Sequence, residues 1–182
     1  MVIKSIFLAL SLMASFGVYA EDAAASLSQT TYVDEVLLLQ QEVELATAPV
    51  KSKEKFSLYF SATPSSVFFK LPVSVQDSFR KSLVFTEKGL ASYSYASLSD
   101  YLSVQQIYEL LSIFGAQKTI SSIPGIVAKT SIEKKIIDSN APTATPMGLG
   151  EGKVCVINGS TKQIQCMPRY KSVCSRACDG TE

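Results

Sequence analysis

The 182 residues contain no histidine and no tryptophan. Without histidine there is no Ser-His-Asp or Cys-His nucleophile, no imidazole-ligated zinc, and no side chain that ordinarily titrates near neutral pH. Cysteine is absent before Cys155. An excess of one charge is also missing: 17 Lys and Arg face 16 Asp and Glu. No global field therefore favours nucleic acid or an anionic membrane as partner. No Gly-rich phosphate loop is present, and no cofactor is expected. Beyond the first 20 residues the longest apolar stretch is Ile107–Val127, interrupted by Glu109, Gln117, Lys118 and Pro124. A membrane-spanning helix needs about 20 apolar residues without such breaks.

Of the features present, the first is an export signal. Lys4 is the only charge among residues 1–20, and Ile6–Val18 is apolar apart from Ser11 and Ser15. Val18 and Ala20 then stand at −3 and −1 of a cut before Glu21, the layout of a secretory signal peptide. A periplasmic or secreted protein is expected, with no membrane span once the signal is cleaved. The remaining chain would carry equal numbers of acids and bases, unevenly placed. Glu21–Glu44 holds acids and no Lys or Arg, whereas Lys153–Arg176 holds bases and no acid. The two ends could pair with each other, or each could meet a partner.

Composition divides the chain into 1–20 signal peptide, 21–30 flexible lead-in, 31–138 α+β body, 139–152 Pro/Gly/Thr linker and 153–182 cysteine-containing tail. In the body, Thr31 and Asp34 suggest a helix start. Val36, Leu39, Val43 and Ala46, widened by Val33, Leu37 and Leu38, form a stripe expected to pack on the domain up to about Thr47. Phe56, Leu58 and Phe60, then Val67, Phe69 and Leu71, alternate about the turn cluster Ser61–Ser66, which reads as a β-hairpin. Ser74 with Asp77 opens a helix carrying Val75, Phe79 and Leu83, and Leu90–Tyr95 reads as a third strand. Ser103 with Gln106 makes a capping box ahead of the stripe Val104, Ile107, Tyr108, Leu111 and Phe114, with Gly115 at the left-handed helix end. Thr130 with Glu133 caps a short helix bearing Ile132, Ile136 and Ile137. The expected class is α+β: an antiparallel sheet of about three strands packed on three or four helices, with a C-terminal disulfide-stabilised hairpin.

Cys155, Cys166, Cys174 and Cys178 fall in the tail, and an oxidising compartment favours disulfides over zinc. Asn158-Gly159 marks a hairpin turn. A four-residue loop, Gly159–Lys162, sets Ile157 opposite Ile164 and Cys155 opposite Cys166, with all four on one face. That register favours Cys155–Cys166 with Cys174–Cys178. Crossed pairs between hairpin and tail are the alternative, since four cysteines allow three connectivities.

Catalytic chemistry is thin. Ser78 and Lys81 fit Ser-x-x-Lys, but the pattern recurs at Ser52–Lys55 and Ser131–Lys134 without its companion motifs. Asp77, Glu87, Asp100 and Glu109 are carboxylates that nothing in the sequence pairs. A contact surface is expected at Lys153, Lys162, Arg169, Lys171 and Arg176 of the basic tail and at Tyr93, Tyr95 and Tyr101, unless the tyrosines close the core. The favoured function is a non-catalytic protein that binds or modulates an envelope or extracellular macromolecule, either a protein or an envelope polymer. The alternatives are a small secreted hydrolase of cell wall or polysaccharide, using carboxylates or a Ser-Lys pair, and a toxin or inhibitor presented by the stapled tail.

Overall fold

The computed structural model describes residues 35–36, 38–141 and 150–178. The signal, the lead-in, the cap at Thr31 and Asp34, and linker residues 142–149 lie outside the described residues. The chain divides into residues 1–37 and 38–182. Of the first unit only Glu35 and Val36 are described, both helical; everything that follows concerns the second.

Helix α1 covers residues 38–47. There follow α2 (Lys53–Ala62), a 3-10 turn (Val67–Lys70), α3 (Val73–Ser82), β1 (Val84–Thr86), β2 (Gly89–Ser94), α4 (Leu98–Tyr101), α5 (Val104–Ser112), a second 3-10 turn (Gln117–Ser122) and α6 (Ser131–Ser139). Strands β3 (Gly150–Ile157) and β4 (Ile164–Cys174) and a last 3-10 turn (Arg176–Cys178) complete the unit. The four strands form one antiparallel sheet in the order β1-β2-β4-β3. The α+β expectation holds, and Leu90–Tyr95 is the strand it was read to be, displaced by one residue.

The hairpin expected at Phe56–Phe60 and Val67–Leu71 is not formed. Those residues make α2 and a 3-10 turn. Phe56 and Phe60 are four apart, a spacing that two strand repeats and one helical turn satisfy equally well. Leu58 separates the two cases. In a strand it would share their buried face, whereas in a helix it sits about 200° away. It is 66 % exposed. Ser52 caps this helix by accepting from the Lys55 N–H, and Glu54 suits the positive end of its first turn. Phe56 and Phe60 then meet Phe68, with ring centroids 5.4 and 4.6 Å away. Phe79 and Phe114 extend the cluster, 6.1 Å apart. These rings are the centre of the core, with Leu90, Leu98, Ile107, Leu110, Leu111 and Val173 around them.

Of three further helix starts, one differs from the sequence reading. α3 begins behind Pro72, whose carbonyl accepts from Val75 N–H and Gln76 N–H, both at 2.9 Å. Ser74 therefore lies inside the helix and does not cap it, and Asp77 instead faces Arg80 at 3.6 Å. The capping boxes at Ser103–Gln106 and Thr130–Glu133 both form as read. Glu133 does more than close its own box. Its buried carboxylate accepts from the Lys129 and Thr130 N–H groups at 2.7 and 3.1 Å. These backbone bonds, Lys129 foremost, and others from Ser103 and Gln105 at the start of α5, hold its pKa below the ordinary carboxylate value. One anion thus serves the positive ends of two helices.

α5 buries Val104, Ile107, Leu110 and Leu111 and closes in a Schellman arrangement. Ala116 N–H donates to the Leu111 carbonyl and Gly115 N–H to that of Ser112. Gly115 has φ +67° and lies against the backbone of α1. A Cβ there would come within 2.8 Å of Leu45 Cα and closer still to the Glu44 carbonyl oxygen. The anchored face of α1 is accordingly Leu38, Gln41, Leu45 and Ala48. The central stripe read from sequence points outward, with Leu39 and Val43 55 % and 59 % exposed; of its widening residues Leu38 is on the inner face. The α5 end that receives α1 selects the narrower inner face, and a helical pattern alone does not reveal it.

Glu44, on the half-buried side of α1, hydrogen-bonds Gln40 at 3.0 Å and leaves its second carboxylate oxygen buried without a partner. Burial raises its pKa, against the opposing pull of Lys118, Gln40 and Gln117. A raised carboxylate weakens folding progressively as pH climbs from below its unfolded value through the folded one. Glu44→Gln should therefore match the wild-type protein in urea denaturation below about pH 4 and exceed it at pH 7. Gly115→Ala should lower stability by on the order of 2–3 kcal/mol in the same assay, because strain and clash combine. Gly125→Ala, at φ +73° but with open space around it, should cost only about 1 kcal/mol.

Candidate binding surface on the stapled hairpin

β3 and β4 pair with Cys155 opposite Cys166 and Ile157 opposite Ile164, the register expected from the buried face. The four-residue loop is also as expected. Asn158 N–H donates to the Gln163 carbonyl, Lys162 N–H donates back to that of Asn158, and Lys162 takes φ +59°. The Asn158 side chain accepts from the Ser160 and Thr161 N–H groups, locking the turn.

The disulfides are crossed. Cys155 joins Cys178 and Cys166 joins Cys174, with Cα separations of 5.6 and 6.1 Å. The favoured adjacent pairing is corrected for a geometric reason. Cys166 and Cys174 lie on the same strand, eight residues apart, and an extended strand of that length spans roughly 26 Å. β4 must therefore turn back on itself. Its register shows where: Glu151 faces Val173 and Lys153 faces Pro168, so β3 advances two residues while β4 uses five. The four residues Arg169–Ser172 thus face Gly152 alone and leave the β3 ladder as a bulge, with Ser172 still paired to Ser94 of β2. Pro168 cannot donate to the ladder, and Lys171 adopts φ +54°, a left-handed conformation rare for lysine.

The bulge is held from β2. The Lys171 carbonyl accepts from Tyr95 N–H at 3.1 Å and from the Ser94 hydroxyl at 2.9 Å. Tyr95 Oη donates to Glu151 Oε1 at 2.5 Å, bridging the end of β2 to the start of β3. Burial, with that bond second, pushes the Tyr95 phenol well above its usual range, so it stays a donor. Beyond the bulge, β4 runs between β2 and β3, with Tyr93 opposite Val173 and Gly150 opposite Cys174. The cysteine-containing tail thus supplies two of the four strands, including an interior one, and β3 begins at Gly150 within the expected linker.

At the surface the bulge presents Arg169 and Tyr170, with Tyr170 83 % exposed and the Lys171 ammonium 5.5 Å from its ring. On the hairpin face away from the cysteines, Met167 and Val156 are exposed. Of the residues anticipated from sequence, Arg169, Lys171 and Tyr95 come together here, Tyr95 as a buried support. Lys162 sits in the exposed turn and Lys153 at the base of the hairpin opposite Pro168. Arg176 lies in the last 3-10 turn, half-buried, with one guanidinium nitrogen enclosed and unpartnered. Tyr101 is exposed on α4. Tyr93 is a core residue: it is fully buried, its phenol raised by burial, and its hydroxyl donates to Thr119, whose own proton goes to the Ala116 carbonyl. Tyr170 was missed; two flanking cations and a proline two residues upstream are the sequence signal for it.

The hydrolytic candidates are not assembled by the fold. Ser78 is exposed and donates to the Ser74 carbonyl of its own helix. Asp77, Glu87, Asp100 and Glu109 are exposed on α3, the β1–β2 turn, α4 and α5. Three of the cysteines bring their sulfurs within 4.8 Å of one another, but all four are oxidised in pairs. Among the described residues no helix is long and apolar enough to cross a membrane. No family model, curated protein or solved structure matches the chain.

Because β4 is interior, loss of a bridge should be felt by the whole unit. Replacing Cys155 and Cys178 by alanine should cost about 3.4 kcal/mol for a loop of 23 residues, and replacing Cys166 and Cys174 about 2.5 kcal/mol for one of eight. Denaturation followed by tyrosine fluorescence and far-ultraviolet dichroism should show one coincident, shifted transition. A separate early loss of residues 150–178 would contradict this.

Proposed function

We propose that the protein is an exported, non-catalytic binding protein that contacts an anionic extracellular or envelope macromolecule through the Arg169-Tyr170-Lys171 bulge. The observation that carries this reading is the bulge itself: an exposed aromatic ring between two cations, on a backbone held out of the ladder at φ +54° and fixed by β2. Strain of this kind persists only where surrounding structure over-determines it, and it concentrates at ligand contacts. A rigid tyrosine supplies contact area at low entropic cost, and adjacent cations add electrostatic complementarity. The signal-like start and two disulfides support an address outside the cytosol. A near-zero net charge makes any attraction to polyanions local to this patch.

Retention on an immobilised sulfated polysaccharide tests the reading. The wild-type protein should bind at low salt and elute as ionic strength rises. The variant Arg169→Ala/Tyr170→Ala/Lys171→Gly should lose at least about tenfold in affinity. Glycine at 171 keeps the left-handed backbone, so the fold is preserved. Equal retention of the two proteins would sink the proposal.

A further inference from the structure

We infer that the Cys166–Cys174 bridge is a site of thiol–disulfide exchange, through which an external thiol converts the crossed pairing into Cys155–Cys166 and Cys174–Cys178. The geometry of the four sulfurs carries this. Cys155, Cys174 and Cys178 are buried, and their sulfurs lie within 4.8 Å of one another. Cys166, bonded to Cys174, is the one cysteine of the four that is half-exposed. Cys155 and Cys166 face each other directly across β3 and β4. Each bond of the alternative pairing therefore joins residues that are already neighbours.

The exchange is balanced without any net oxidation. A thiolate from a small thiol or a thiol oxidoreductase attacks the sulfur of Cys166, the less buried residue of that bridge. A mixed disulfide forms there, and Cys174 leaves as thiolate. Cys174 attacks the neighbouring Cys178 sulfur, forming Cys174–Cys178 and releasing the Cys155 thiolate. Cys155 attacks Cys166 opposite it, forming Cys155–Cys166 and returning the external thiolate. The catalyst is regenerated, and two disulfides remain throughout.

The two pairings constrain different things. In the crossed form Cys166–Cys174 closes a loop around Arg169–Ser172, and Cys155–Cys178 ties the hairpin to the last turn. In the exchanged form the hairpin is closed only upon itself, and the bulge is no longer enclosed. The chemistry stands independently of the proposed function; any effect on binding rests on that reading.

Tryptic cleavage at Lys162, Arg169, Lys171 and Arg176 places each cysteine on its own peptide, so the pairings can be read directly. The oxidised full chain is incubated with substoichiometric glutathione, quenched in acid, digested without reduction and analysed by mass spectrometry. Peptides joined through Cys155–Cys166 and Cys174–Cys178 should appear in roughly 1–10 % of molecules. In Cys166→Ser, with one thiol left over and no external thiol added, alkylation should find the free thiol at both Cys174 and Cys155. Only the crossed pairs and fully reduced cysteines in the intact chain, or a free thiol confined to Cys174 in the variant, would overturn the inference. Neither readout involves binding, so failure of the exchange and failure of the proposed function are separate results.

Discussion

The return of β4 upon itself between Cys166 and Cys174 is the constraint on which the rest of this structure depends. A straight strand of that length would carry Cys174 far from Cys166 and far from β2. Because the chain turns back through Arg169–Ser172, the first part of β4 completes the hairpin with β3, and the last part enters the sheet between β2 and β3. Val173 then joins the aromatic core, while Cys174 joins Cys155, Cys178, Ala91 and Leu45 in a second, smaller cluster. One irregularity thus links the two apolar clusters and sets the bridges that staple them. It also raises Arg169 and Tyr170 into solvent, with Lys171 half-buried beside them.

The helical side is positioned by charge and backbone as much as by apolar packing. Glu133 satisfies donors at the starts of both α5 and α6, which fixes the two helices against each other at their positive ends. Gly115 ends α5 in a conformation that lets the backbone of α1 lie directly against it, and Val50 N–H donates to the Ile113 carbonyl at 3.1 Å. α1 in turn sends Leu45 onto the buried cysteines. A glycine, a carboxylate and a leucine in this way connect the helices to the disulfide side of the sheet.

Features that rest on neighbours within one turn of chain were legible in the residues. Both Ser/Thr-x-x-Gln/Glu capping boxes, the left-handed Gly115, the β2 strand and the hairpin register at Cys155 and Cys166 all form as the sequence implied. The hairpin expected at Phe56–Leu71 failed because a four-residue spacing of phenylalanines fits strand and helix alike; the Ser52 cap and the rings of Phe79 on α3 and Phe114 just after α5 favour the helix. The outward stripe of α1 failed for a related reason. Periodicity identifies a helical face, and the element that packs against the helix decides which face is buried.

The candidate site shows the same division more sharply. Composition alone placed four cysteines, five bases and no acid in residues 153–178, and so pointed to a stapled, basic element. The connectivity of the staples, the burial of Tyr93 and Tyr95, and the emergence of Tyr170 were decided by tertiary structure. Each depends on where β4 pairs with β2, a contact between residues some 80 positions apart. Local spacing carries the energetics of caps, turns and register because those interactions close within a few residues. It carries no information about which distant strand will supply the missing hydrogen bonds of Lys171, and that choice is what turned a basic tail into a presented surface.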